Sequence, residues 1–327
     1  IIRGDYGRVD RPDSFLPTAA RISRNIQYLT KMGGVVLASF VDPINIITKH
    51  GLGRFLNTGI KTLITNTKGY KLAAKDTKLI GQSAETILHS RVNLLSDMSN
   101  PYSSKSLFEN LTASLAANYS KLNLLGQWTD VSKRLASVVS QQRIAEEIGN
   151  LTKGSINKKN QSYLALLGID KTNVEAIAKQ IEKYSTKEGD LPILNLDKWD
   201  DREAFEAFSN ALNLDIDRTI ITRGIGEMPV LMNTEMGKTI LQFKSFIFAA
   251  NQQILIAGLQ QADTAFLTGM VSMIGTGMMV YYLQQKARGQ EVSDDPNVWL
   301  LEGLDRSGLL PVFMEINGYA DIMGLGL

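Results

Sequence analysis

Lys244 to Lys286 reads KSFIFAANQQILIAGLQQADTAFLTGMVSMIGTGMMVYYLQQK, and the forty-one residues between the two lysines carry a single charge, Asp263. As a helix rising about 1.5 Å per residue, the charge-free run from Thr264 to Gln285 is about 33 Å long, against about 30 Å of bilayer hydrocarbon. It is long enough to span a membrane. The same run also fits a helix buried at the centre of a large helical domain, apolar nearly all round. Gly269, Ser272, Gly275, Thr276 and Gly277 dilute its hydrophobicity, and Asn251, Gln252, Gln253, Gln260 and Gln261 do the same for the segment before it. Small residues are common where membrane helices approach closely, however, and uncharged polar side chains can bond between helices. Both readings stay open.

The two segments differ in character. The first, capped near Asn233 or Thr234, gathers Gln242, Ser245, Ala249, Gln252 and Gln253 on one face and Phe243, Ile247, Ala250, Ile254 and Ala257 on another, the spacing of a helix. Its polar face is uncharged and suits protein contact or a wet lumen. The second, Thr264 to Gln285, is the better lipid-facing candidate. The residues expected to meet membrane or another subunit are Phe243, Ile247 and Ile254 on the first, with Phe266, Gly269, Met270, Met273, Gly277 and Val280 on the second. Asp263 decides the layout: a charge at a hairpin tip costs little, whereas one inside a span costs about 2.5 to 3.5 kcal/mol.

Outward from this pair the chain reads as all-α, a multi-helix bundle. After an extended arm of thirteen residues, a helix begins near Ser14 or Pro17 and ends before Asp42-Pro43. Leu72, Ile80, Ile87 and Leu94 recur at roughly heptad spacing and predict a bundle stripe. Ser106 with Glu109, and Thr172 with Glu175, have the form of capping boxes. Trp128 to about Ile148 and Asp197 to Leu212 predict further helices, Ser185 to Pro192 a loop, and Trp299 to Leu304 a short helical turn. Strand signals are confined to a weak alternation at Thr219 to Thr222. The polar run Asn150 to Ser162 predicts a linker. The expected organisation is thus an N-terminal helical region over 1–150, a linker and helical connector over 151–232, and the apolar pair with a C-terminal segment over 233–327.

Composition narrows the function. The 327 residues are 44% hydrophobic and 21% charged, as in folded proteins, and a net charge of +2 with both signs interspersed gives no footprint for nucleic acid. There is no cysteine, hence no disulfide and no thiolate metal site. The chain starts Ile1-Ile2-Arg3-Gly4, without a signal segment, and is expected to be a piece of something longer. Two histidines, His50 and His89, stand outside any metal-binding spacing, and Ser83 to Ser90 around His89 lacks the glycines of a nucleophile elbow. Glu85, Glu235 and Glu315 have no glycosidase motif around them, Gly224-Ile225-Gly226 lacks a phosphate loop's third glycine, and Asp215/Asp217 and Asp294/Asp295 lack a calcium loop. No catalytic, cofactor or metal residue is expected.

One string resembles a known family. Met228-Pro229, Met232-Asn233-Thr234-Glu235-Met236-Gly237-Lys238, Leu241-Gln242-Phe243-Lys244-Ser245-Phe246 and Ile254-Leu255-Ile256-Ala257-Gly258-Leu259-Gln260-Gln261 resemble the large internal virion proteins of short-tailed bacteriophages. Gly277-Met278-Met279-Val280-Tyr281, Ser293-Asp294-Asp295-Pro296 and Glu302-Gly303-Leu304-Asp305-Arg306-Ser307-Gly308 extend the likeness, which runs from about Phe205 onward. The resemblance implies a DNA-ejection protein, packaged inside the capsid, that leaves through the tail and reassembles in the host envelope as a conduit for the genome. It implies a homo-oligomer, other phage core proteins as partners, contact with the host inner membrane, and phage DNA passing through without sequence-specific recognition. In some members a separate N-terminal domain is a peptidoglycan-cleaving transglycosylase. No counterpart of its start is found here, so no catalytic residue is carried over. A peptidoglycan-active module and a soluble helical scaffold remain the alternatives.

Overall fold

The computed structural model describes residues 14–31, 39–80, 125–220, 259 and 263–310, and these are 78% helical. The elements run α1 (Phe15–Lys31), a 3-10 segment (Ser39–Ile44), α2 (Asn45–His50), α3 (Leu52–Arg54), a π-helical stretch (Phe55–Lys61), α4 (Thr62–Thr65), α5 (Thr67–Leu79) and α6 (Leu125–Thr152). Then come α7 (Lys158–Leu166), α8 (Val174–Tyr184), strands β1 (Thr186–Glu188) and β2 (Leu191–Ile193), a 3-10 turn (Leu196–Lys198), α9 (Arg202–Thr219), α10 (Thr264–Ala287) and α11 (Pro296–Ser307). The chain is mostly α.

Helix α6 is the axis on which α2, α5, α7, α8 and α9 pack. Its C-terminal half contributes Ile144 and Ile148 to a cluster with Leu164, Ile169, Val174, Ile177, Leu194, Phe208, Leu212 and Ile216. Its middle contributes Leu135, Val138 and Val139 to a second cluster with Ile46, Ile47, Phe55, Tyr70, Ala73, Leu191 and Ile193. Ile144 and Ile148 precede the 150/151 boundary expected from sequence and pack directly against residues that follow it, so the polar run between α6 and α7 lies beside a shared core.

Helix starts follow local chemistry. Asn157, Asp201 and Asp295 each accept a backbone N–H from the first turn of α7, α9 and α11, at 2.8, 3.0 and 2.8 Å. Each such cap is worth about 1 kcal/mol. Of the two expected capping boxes, the one at Ser106 lies outside the described residues. The one at Thr172 does not form: Asn173 precedes α8 without a side-chain cap, and the Thr172 hydroxyl donates to Asp170 Oδ1 at 2.5 Å. The acceptor two residues upstream draws Thr172 into a turn, a local bond that competes with capping.

Two further expectations are corrected. The supposed loop at Ser185 to Pro192 contains a hairpin with Thr186 opposite Ile193 and Glu188 opposite Leu191. Gly189, at φ +60°, takes the first central position of its two-residue turn, where a type II′ turn requires glycine. Leu72, placed on a core stripe by its spacing, is exposed, and α5 buries Tyr70, Ala73, Ala74 and Asp76 instead. Ile80 does pack against the first cluster, while Ile87 and Leu94 lie outside the described residues.

Helices α10 and α11, a long helix, a short connection and a shorter helix, pack against each other with two glycines at their closest approach. A Cβ on Gly277 would strike the carbonyl oxygen of Gly303 and lie 3.0 Å from its carbonyl carbon, and one on Gly303 would lie 3.0 Å from the carbonyl oxygen of Ile274. Gly275, two residues away, has nothing within 4 Å of the same hypothetical atom. The two positions therefore separate packing from propensity. Gly275→Ala should raise stability by about 0.8 to 1 kcal/mol through helix propensity alone, whereas Gly277→Ala should lower it by about 1 to 3 kcal/mol by forcing the helices apart. Urea unfolding of both variants checks the opposite signs.

Candidate functional site

Helix α10 begins where the backbone is extended at Asp263, φ −98° and ψ 172°, and the Asp263 carboxylate accepts the Phe266 N–H at 2.7 Å. The charge caps the helix and also pairs with Lys159 of α7. The run from Thr264 to Gln285 therefore continues as one helix with no charge inside it.

Its two faces are unlike. Phe266, Gly269, Met273, Gly277 and Val280 are buried, and Met270 packs beside them: Val41, Met273, Val280 and Leu309 make a third apolar cluster. Gly269 lies against α2, where an added Cβ would come within 2.7 Å of Thr48 Cα. These six are the expected contact residues on this helix, and the structure turns them toward the rest of the chain. Phe243, Ile247 and Ile254 lie outside the described residues. The outward stripe is a different set: Leu267, Val271, Met279 and Tyr282 are 59, 71, 48 and 42% exposed, with Gly275 between them and Leu300 and Leu301 of α11 also exposed. The signal was present as a spacing of three or four, but on a helix apolar on every side periodicity cannot say which face turns in.

The polar groups of α10 make few demands on water. Thr268, Ser272 and Thr276 donate their hydroxyls to the carbonyl oxygens of Thr264, Thr268 and Ser272, at 2.7, 2.8 and 2.8 Å. Aromatic and basic residues gather at the other end. Tyr281 and Trp299 meet edge to face at 5.6 Å, Tyr282 stacks on Trp299 at 6.3 Å, and Lys286 lies 5.8 Å from the Tyr282 ring centroid.

A second group of interest is buried. His50, at the end of α2, has its Nε2 3.3 Å from Ser140 Oγ, 3.4 Å from Thr219 Oγ1 and 3.5 Å from Asp215 Oδ2, while Arg143 Nη1 is 3.3 Å from its Nδ1. Tyr163 donates to Asp215 Oδ2 at 2.9 Å, and the Arg143 guanidinium lies 3.7 Å over the Tyr163 ring and donates to the carbonyl of Lys49 at 2.7 Å. A guanidinium has only donors, so Nδ1 must accept, and the imidazole is neutral with its proton on Nε2. Serine, histidine and aspartate thus come together, but not as a catalytic triad. In a triad the acid orients Nδ1 while serine meets Nε2, whereas here both crowd Nε2 and Arg143 occupies the other nitrogen. Ser140, His50 and Asp215 are also all buried. Among the described residues no group of three or more histidines and acids could hold a metal. His89, Glu85, Glu235, Glu315 and Gly224-Ile225-Gly226 lie outside the described residues.

No known protein family, curated protein or solved structure matches this chain.

Two buried groups give the fold opposed pH dependences. Burial, reinforced by Arg143, Lys49 and Arg54 against the opposing charge of Asp215, lowers His50 to about 4. Burial raises Asp76, which accepts from Gln141 at 3.0 Å, to about 6. The unfolded chain binds a proton at His50 below pH about 6.5 that the folded chain refuses until about 4, so this stability is lost as pH falls through that window. The folded chain keeps a proton at Asp76 that the unfolded chain releases above about 3.9, so that stability is lost as pH rises toward 6. Each window is worth about 3 kcal/mol at 1.36 kcal/mol per pH unit. The penalty of His50→Gln should accordingly be larger at pH 7 than at pH 4 by about 3 kcal/mol, and that of Asp76→Asn smaller at pH 7 than at pH 4 by a similar amount. Urea midpoints at the two pH values test both signs.

Proposed function

We propose that the chain is a structural protein, part of a phage internal virion protein that oligomerises into a conduit for genome delivery across the host envelope. In this reading the fold is a multi-helix bundle carrying a long apolar helical pair, with α10 as the member that meets lipid. The supporting observation is the outward stripe of α10. Among the described residues α10 is the one helix long and apolar enough to cross a membrane. About one third of its most apolar stretch is buried inside the protein, and Leu267, Val271 and Met279 face outward. Hydroxyls satisfied by the carbonyls one turn back suit a medium that offers no hydrogen bonds. Tyr281, Tyr282 and Trp299 beside Lys286 and Arg288 have the composition of a membrane-interface belt.

The resemblance of the C-terminal string to ejection proteins supplies the biological setting: the capsid interior first, the host envelope after ejection. Its partners would be further copies of the chain, other core proteins and the inner membrane, with DNA as passing cargo rather than as a sequence to be read. The absence of cysteine removes one covalent obstacle to passage through a narrow tail.

Liposome flotation tests the reading. The wild-type chain should rise with the vesicles and run as an oligomer in detergent, and Leu267→Glu with Val271→Glu should abolish flotation while leaving the helical content intact, because both side chains point outward. A wild-type chain that stays with the aqueous fraction and is monomeric in buffer and in detergent would sink the proposal and favour the soluble scaffold.

A further inference from the structure

Among the described residues, the hairpin of α10 and α11 meets the body of the protein mainly through α10, which contacts the 3-10 segment 39–44, α2 and α3. Of these, α2 meets α10 most extensively, and like the 3-10 segment, whose Ile44 packs against both clusters, it reaches both ways. Ile46 and Ile47 enter the cluster around α6, Thr48 touches Gly269 of α10, and His50 enters the buried polar group. Six residues form too short a helix to persist by themselves, so the contact of α2 with α10 depends on whatever holds the end of α2. The holding contact is Arg143, which bonds at once to the carbonyl of Lys49 and to the ring of His50.

From this arrangement we infer that His50 is an acid-sensitive latch: protonation of its ring releases α2 from Arg143 and frees the α10–α11 hairpin from the body of the protein. The reason is geometric. Nδ1 accepts from a guanidinium, so a proton placed there sets two donors and two positive charges face to face at 3.3 Å. The surroundings add to the conflict from each side. Arg143 comes from α6, Lys49 from α2 itself and Arg54 from α3, while Arg218 of α9 bears on Lys49; Asp215 of α9 opposes them, and its carboxylate accepts from the Tyr163 hydroxyl of α7. Glu147 of α6 is engaged by Arg54 and Asn160 and does not reach the ring. Lys49, whose charge already bears on His50, is itself held below its ordinary value by burial. Two further tethers among the described residues are Lys159 to Asp263 at the surface end of α10 and Val41 of the 3-10 segment against Met273 and Val280.

The latch gives the membrane reading its regulation and rests on that reading for its purpose, but it is tested without lipid, so the two fail separately. Backbone hydrogen exchange of the full chain, corrected for intrinsic rates, is followed from pH 7 to pH 4.5. Segments 45–50 and 264–287 should lose protection together, by up to about a hundredfold between pH 6.5 and 4.5 for one linked proton, while α8 and α9 around Ile177 and Phe208 keep theirs. His50→Gln should remove the pH dependence of the two segments. In a His89→Gln chain, whose one remaining imidazole can be titrated by NMR, opening should follow the protonation of His50. Exchange in 264–287 that ignores pH, that accelerates equally in α9, that remains as pH-dependent in His50→Gln, or that is out of step with the His50 titration overturns the inference.

Discussion

The contact on which the most structure depends is between Arg143 and the end of α2. A guanidinium cannot accept a hydrogen bond, so its position beside Nδ1 fixes the tautomer of His50, and its second bond to the Lys49 carbonyl fixes the last turn of a six-residue helix. With α2 in place, Ile46 and Ile47 complete the core around α6 and Thr48 offers Gly269 a surface close enough that only glycine fits. The hairpin of α10 and α11 has its own glycine-to-glycine packing, and among the described residues it meets the body mainly at α2 and the 3-10 segment 39–44.

The same economy explains why α10 suits two environments. Its inward face is built for close approach, with Gly269 against α2 and Gly277 against Gly303, and close packing of small residues works equally in protein and in lipid. Its hydroxyls are bonded to its own backbone, and its charges stand at Asp263 and Lys286, outside the run between them. Moving such a helix from a docked position into a bilayer strands few polar groups. Among the described residues its outer face exposes Leu267, Val271, Met279 and Tyr282 in one stripe, and contiguous apolar patches mark interaction surfaces. The buried polar group around His50 is the counterweight: it contributes little to a gapless apolar core, yet it gives the attachment of α2 a defined chemistry that a change of protonation can alter.

The places where reading the chain fell short share a cause. The Thr172 capping box had the right spacing, but Asp170 offered its hydroxyl a nearer acceptor. The hairpin at Thr186 to Ile193 is three residues a side and is stabilised by Leu191 and Ile193 reaching the core and by the Gln142 amide donating to the Pro192 carbonyl at 2.7 Å, neither of which alternation in so short a segment can announce. His50 looked like an isolated histidine because its partners are 90 to 169 residues away along the chain.

What the sequence by itself determined is the mostly helical character, the start of α10 at Asp263 as one of the two allowed layouts, and the length and neutrality of the run that follows. Those are properties of spacing, capping and charge, and they act within one or two turns. Only the tertiary structure decided which side of α10 faces outward, since Phe266, Gly269, Met273, Gly277 and Val280 were picked from a helix with no polar side to set against them. It also decided that His50, Ser140 and Asp215 meet without forming a catalytic arrangement. Both decisions come from contacts between distant segments, where the fit of a glycine or the direction of a single donor chooses among faces that composition leaves equivalent.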